Sequence, residues 1–240
     1  MNDKYKYPNT INNSYIVIPK NGSSTIGRYM RPHSTIVDSN VALLHRDRGL
    51  KSIAEYADDF IYTFSRNPYK RVVSCYEYIL ASTPYAEPDL KVVVDELNIR
   101  DGFSNKEEFS FDRFVNIIIQ QICPKGQSHP VWSLYWEPQT SYFLDSKNNL
   151  TVDYLGKLQT LEKDINEIAR LIGAGELIEP VVKKGFAPKP SFIELIKFKP
   201  PHVNSSTWRH QDYKKYFNDD TRKKVEKYYE KDLEFLKVKF

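Results

Sequence analysis

The chain has 240 residues, 40% of them hydrophobic and 28% charged, with 9 Gly and 14 Pro. That length suits one sizeable core, and the composition argues against disorder or a fibrous repeat. A balance of 35 Lys+Arg against 31 Asp+Glu, net +4, is too mild for a dedicated nucleic-acid binder and fits small anionic ligands better.

Cys75 and Cys123 have no metal-ligand spacing, so neither structural zinc nor a disulfide framework is expected, and no metal is assigned. No apolar run approaches the length of a membrane span. The start Met1-Asn-Asp-Lys-Tyr-Lys lacks a signal peptide's hydrophobic region, so a cytoplasmic protein without a transmembrane segment is expected. The 17 Tyr suit a sugar- or base-binding groove, although half-buried filler is the favoured reading.

Residues 1–14 read as a loose polar lead-in, and residues 15–240 as one domain. Ile16, Val17 and Ile18 form a β-branched run typical of a strand covered on both faces, ended by Pro19. The loop Lys20-Asn21-Gly22-Ser23-Ser24-Thr25 follows and opens a helix. Gly22 allows a tight turn, and the first-turn N–H groups with three hydroxyls can converge on one anion beside Lys20. The alternative is a turn without a ligand. A nucleotide-kinase loop places its lysine after a second glycine. Here the lysine precedes the single loop glycine, which disfavours a standard NTP site.

Residues 32–59 mix apolar pieces such as Val41–Leu44 with His33, His45, Arg46 and Arg48, and a helical piece is predicted over 50–57. A second strand is predicted at Phe60–Phe64. It runs into Ser65-Arg66-Asn67-Pro68, where Asn67 suits an N-cap and Pro68 the first helical position, with the helix reaching about Ser82. Ser74 lies about two helical turns beyond Arg66. From there an arginine reaching back and a serine hydroxyl can grip one phosphate. A surface ion pair for Arg66 and a core-facing role for Ser74 are the alternatives.

Residues 83–110 read as an irregular excursion. A helix is predicted from Phe111 to Ile122, an aromatic and polar loop over 127–139, a third strand at Thr151–Leu155, and a helix over Leu161–Ile172 capped by Gly173. A Lys- and Pro-rich connector at 183–201 and the polar segment 200–209 precede a last helix from about Asp219. Two strand–corner–helix units predict an α/β domain with a central parallel sheet, its ligand beyond the carboxyl ends of the strands.

Taken together, Pro19-Lys-Asn-Gly-Ser-Ser-Thr25 and Arg66-Asn-Pro-Tyr-Lys-Arg-Val-Val-Ser74 resemble the two nucleotide-binding motifs of the sulfotransferase family. The resemblance is to the branch of Golgi carbohydrate sulfotransferases and their bacterial relatives. Ser110–Val115, Tyr135-Trp-Glu-Pro-Gln139, Val152–Gly156 and Val225–Phe235 resemble further landmarks of that family in the same order, so the likeness covers most of the chain. Where relatives have His-Trp-x-Pro-Gln and a glutamate, this chain has Tyr135-Trp-Glu-Pro-Gln139 and Gln159.

The resemblance implies a P-loop-NTPase-like sulfotransferase fold with helices flanking the parallel sheet. It implies PAPS (3′-phosphoadenylyl sulfate) as co-substrate and PAP as product, with a carbohydrate, glycolipid or other hydroxyl as acceptor. Lys20, Asn21, Gly22, Ser23, Ser24 and Thr25 would hold the 5′-phosphosulfate, and Arg66 and Ser74 the 3′-phosphate. Lys20 would also assist departure of the leaving phosphate. His45, placed before Arg66 much as the catalytic histidine is in uronyl 2-O-sulfotransferases, is the expected base, with His33 and then Glu55 behind it. The competing readings are a P-loop-like nucleotide kinase and a non-catalytic nucleotide- or glycan-binding protein.

Overall fold

The computed structural model describes residues 11–82, 110–119, 134–174 and 212–240. Four strands form one all-parallel sheet: β1 (Asn13–Ile16), β2 (Thr35–Val37), β3 (Phe60–Ser65) and β4 (Tyr154–Lys157), in the order β2-β1-β3-β4. In register, Tyr15 pairs with Ile36 and Tyr62, and Phe64 pairs with Gly156.

The strands alternate faces as a period of two requires. Tyr15, Tyr62 and Phe64 pack with Ile26 and Met30 of helix α1 (Ser23–Met30), and with Ile165 and Ile168 of the helix Leu161–Leu171. Ile16 and Ile61 pack on the opposite face, with Ala42 of helix α2 (Ser39–Leu44) and with Tyr142 and Phe143 of the short helix Thr140–Phe143. Helices on both faces bury the sheet, as parallel strands need. A third cluster joins helix α3 (Pro68–Ser82), the helix Phe111–Ile119 and the helix Asp219–Tyr228 through Val72, Tyr76, Phe114 and Val225.

Differences from the sequence reading have local causes. β1 starts at Asn13, ahead of the apolar run, where side-chain hydrogen bonds hold its first two polar residues, with Asn13 Oδ1 left without a partner among the described residues. Asn13 Nδ2 donates to the Ile11 and His33 carbonyls, and Ser14 Oγ donates to the buried Asp59 carboxylate. β2, with three residues, is too short to produce a readable pattern. The predicted helix over 50–57 is two 3-10 turns, Leu50–Ser52 and Ala54–Tyr56. The third predicted strand pairs at Tyr154–Lys157, and the last helix breaks at Tyr229 into Asp219–Tyr228 and Glu230–Leu236.

The glycine of Val152–Gly156 also has a physical reason: a Cβ there would lie 2.6 Å from the Phe64 ring. Residues 1–10 of the lead-in, the excursion at 83–109, the loop at 120–133 and the segments at 183–201 and 200–209 lie outside the described residues. No helix among the described residues is long and apolar enough to cross a membrane.

Candidate active site

The candidate site lies beyond the carboxyl ends of β1 and β3. After β1 the chain leaves the sheet through Pro19, and Lys20 adopts a left-handed backbone with φ 66°. Gly22 follows with φ 82° as the N-cap of α1. Its carbonyl accepts the Thr25 and Ile26 N–H groups at 2.9 Å each, which starts the helix. The N–H groups of Ser23 and Ser24 have no acceptor among the described residues, as expected for a first turn. They open at the positive end of the helix dipole. The hydroxyls of Ser23, Ser24 and Thr25 make no hydrogen bond to a described residue either.

Gly22 is fixed by its surroundings as well as its backbone. A Cβ would sit 2.6 Å from Leu158 Cδ1, just past β4. The end of a leucine can swing aside, but the left-handed backbone remains. Gly22→Ala is therefore expected to lose about 1–2 kcal/mol from that conformation alone. Denaturant unfolding of the two proteins measures the loss.

At the second corner, Asn67 Oδ1 accepts the Lys70 N–H at 3.2 Å and caps α3. Arg66 Nη1 donates to the Lys20 carbonyl at 2.7 Å, so the two corners touch. Its remaining guanidinium N–H groups have no hydrogen-bond acceptor among the described residues. Ser74 is half-buried on α3, and its hydroxyl is likewise not bonded to a described residue.

Lys20 Nζ sits 3.8 Å from the centroid of the Tyr78 ring, a cation–π contact. Burial pulls its pKa down to about 8, and the charges of Arg66 and Arg71 push the same way. Burial likewise pulls Arg66 down to about 10, with Arg71 adding to the shift. Among the described residues no carboxylate lies within ion-pair distance of Lys20, Arg66 or Arg71. Crowded cations with no ion-paired carboxylate make an electropositive locus.

Arg71 is 1% exposed and faces inward. Its guanidinium donates to the carbonyls of Pro19 at 3.1 Å, Glu137 at 2.7 Å and Leu134 at 3.4 Å. It ties the first corner to the 134–140 segment. Cys75 Sγ adds a contact to the Tyr135 carbonyl at 2.9 Å, and burial raises its thiol pKa, so it behaves as a packed thiol. Asn21 also turns inward: Nδ2 donates to the Phe64 carbonyl and to Gln139 Oε1, both at 2.7 Å. Its backbone N–H is taken as well, donating to the Ile18 carbonyl at 3.2 Å, so Asn21 shapes the loop from within.

The three candidate bases fall in different places. His45 is the half-buried C-cap of α2, a helix that starts just after β2. Its neighbour Arg46 is 3.7 Å from the Glu137 carboxylate, whose backbone carbonyl Arg71 holds. His33 precedes β2, and its carbonyl accepts Asn13 Nδ2 at 3.0 Å at the amino edge of the sheet, the far end. Glu55 is exposed on the turn Ala54–Tyr56, before the start of β3.

Sequence reasoning missed how this region is held together, because the residues responsible are distant along the chain. Gln139 Oε1 accepts from Asn21 Nδ2 and from the Arg66 N–H at 2.8 Å, and its Nε2 donates to the Arg66 carbonyl at 2.9 Å. Asp232 accepts the N–H groups of Gln139 at 2.8 Å and Thr140 at 2.9 Å. The available signal was the Trp136-Glu-Pro-Gln139 landmark itself.

The parallel α/β sheet thus carries two linked, cationic helix-start corners at its carboxyl edge. The family model described as "Sulfotransferase family" matches residues 8–238, and the chain belongs to that family, whose chemistry is sulfuryl transfer. Searches of curated proteins and of solved structures gave no match.

Proposed function

We propose that this protein transfers the sulfuryl group of PAPS to a hydroxyl of a carbohydrate or glycolipid, giving PAP and a sulfate ester. The observation that carries this reading is the pair of cations Lys20 and Arg66, at separate helix starts, with no carboxylate partner among the described residues. A nucleotide with phosphate groups at two separate positions fits such a pair. Lys20, the Gly22 backbone, and Ser23, Ser24 and Thr25 take the 5′-phosphosulfate, while Arg66 and Ser74 take the 3′-phosphate.

In the reaction the acceptor oxygen attacks sulfur in line, and the bond from sulfur to the 5′-phosphate oxygen breaks. The negative charge gathering on the leaving phosphate is stabilised by the Lys20 ammonium and the N–H groups of the first turn. The acceptor proton passes to His45, a reading supported by the start of its helix directly after β2, whereas His33 precedes that strand. The carbohydrate acceptor rests on the likeness to the carbohydrate branch of the family.

The test is turnover: PAPS with a panel of glycans and small hydroxyl compounds should release PAP, and release from none of them overturns the catalytic reading. The pH profile adds a second check. Lys20 must be protonated to act, and in the free protein it loses its proton above about 8. The rate at low PAPS, kcat/KM, should therefore fall as pH rises past about 8. In Lys20→Arg, whose guanidinium stays charged, that alkaline limb should disappear.

A further inference from the structure

Gln139 and Asp232 are buried polar residues that the proposed reaction does not use, and they stand in one hydrogen-bond network. A glutamine amide can accept two hydrogen bonds and donate two, and in Gln139 all four are made. Oε1 takes the Asn21 Nδ2 at 2.7 Å and the Arg66 N–H at 2.8 Å, and Nε2 gives to the Arg66 carbonyl at 2.9 Å and to Asp232 Oδ2 at 3.3 Å. One planar group thus bonds the loop after β1 and the corner after β3.

Asp232 fixes this group from behind. It accepts the Gln139 N–H, the Thr140 N–H and the Thr140 hydroxyl, the last at 2.8 Å, and stands on the helix Glu230–Leu236. Gln139 and Asp232 are both 0% exposed, so neither can touch a ligand in the site. The Gln139 amide is itself fully satisfied, although Asn21 Oδ1 beside it has no partner among the described residues, and buried hydrogen bonds of this kind hold the segments they join.

We infer that Gln139 is a positioning residue that sets the separation of the two anion corners, and that Asp232 locks it in place. This rests on the reading of the site as one for a nucleotide carrying phosphates at both ends. In such a ligand the ribose fixes the distance between the phosphates, so both engage only if the corners are correctly spaced. A monophosphate engages one corner and is insensitive to their spacing. The second phosphate of the bisphosphate binds intramolecularly, and that advantage is lost when geometry forbids simultaneous contact.

The experiment compares wild type, Gln139→Met and Asp232→Asn. The first keeps side-chain length and removes the amide; the second keeps volume and one acceptor oxygen, and gives a gentler change should the first not fold. Circular dichroism and thermal unfolding verify the fold, and calorimetry gives affinities for PAP, 5′-AMP and 3′-AMP. Wild type should prefer PAP over both monophosphates. In the folded variants PAP affinity should fall about tenfold or more, the worth of one or two buried hydrogen bonds, while both monophosphates bind as they do to wild type. A general loosening of the fold would weaken all three ligands together and overturn the inference. So would an unchanged PAP-to-monophosphate ratio in either folded variant. A wild type without preference for PAP would instead overturn the underlying reading of the site.

Discussion

Arg66→Ala is expected to remove measurable PAP binding, while Lys20→Ala keeps it. Arg66 is the cation that can present a planar fork to a phosphate, and it sits where α3 begins, with Ser74 on the same helix. Each hydrogen bond from a charged donor contributes about 1.5–3 kcal/mol, so losing a two-pronged grip lowers affinity by about 100-fold or more. The variant also loses the 2.7 Å bond from Arg66 Nη1 to the Lys20 carbonyl, which holds the first loop against the second corner. Lys20 is a point charge on a flexible stem, already destabilised in the free protein by burial and two neighbouring arginines. Its proposed part is to stabilise charge on the leaving phosphate, so alanine should lower kcat far more than PAP affinity. Isothermal calorimetry on both variants separates the roles. An Arg66→Ala protein that binds PAP like wild type would remove Arg66 from the site.

His45→Ala should abolish transfer and leave PAP affinity within a few-fold of wild type. Loss of a general base costs about 10²- to 10⁴-fold in rate. His45 is half-buried at the end of α2, and its side chain makes no hydrogen bond to a described residue, so its removal should disturb little of the fold. The assay is release of PAP from PAPS with a responsive acceptor, with PAP affinity measured alongside. Near-normal turnover would exclude His45 as base.

The parallel α/β architecture and both corners were legible in sequence because each is a local event. A β-branched run ending in Pro19 and a glycine–hydroxyl loop announce the first. An aromatic strand followed by Asn67 and Pro68 announces the second, and α3 begins at Pro68 as those residues require. What stayed hidden depends on distant partners. Asn13 and Ser14 look like lead-in until the His33 carbonyl and Asp59 are found beside them.

Asn21 was read as a ligand-facing residue of the loop, yet its side chain turns to Phe64 and Gln139. Arg71, in an exposed-looking run, is instead the buried tie between Pro19 and the 134–140 segment. Gln139 and Asp232, far apart in the chain, carry no local pattern that would pair them. Tyr15, Tyr62, Tyr69, Tyr142 and Tyr229 are among the largest fully buried side chains, packed more deeply than half-buried filler.

The most direct test of the two-corner site is calorimetry of the wild-type protein with PAP and with ATP under identical conditions. Clear preference for PAP, lost on Arg66→Ala, is the predicted result; tighter binding of ATP would contradict it.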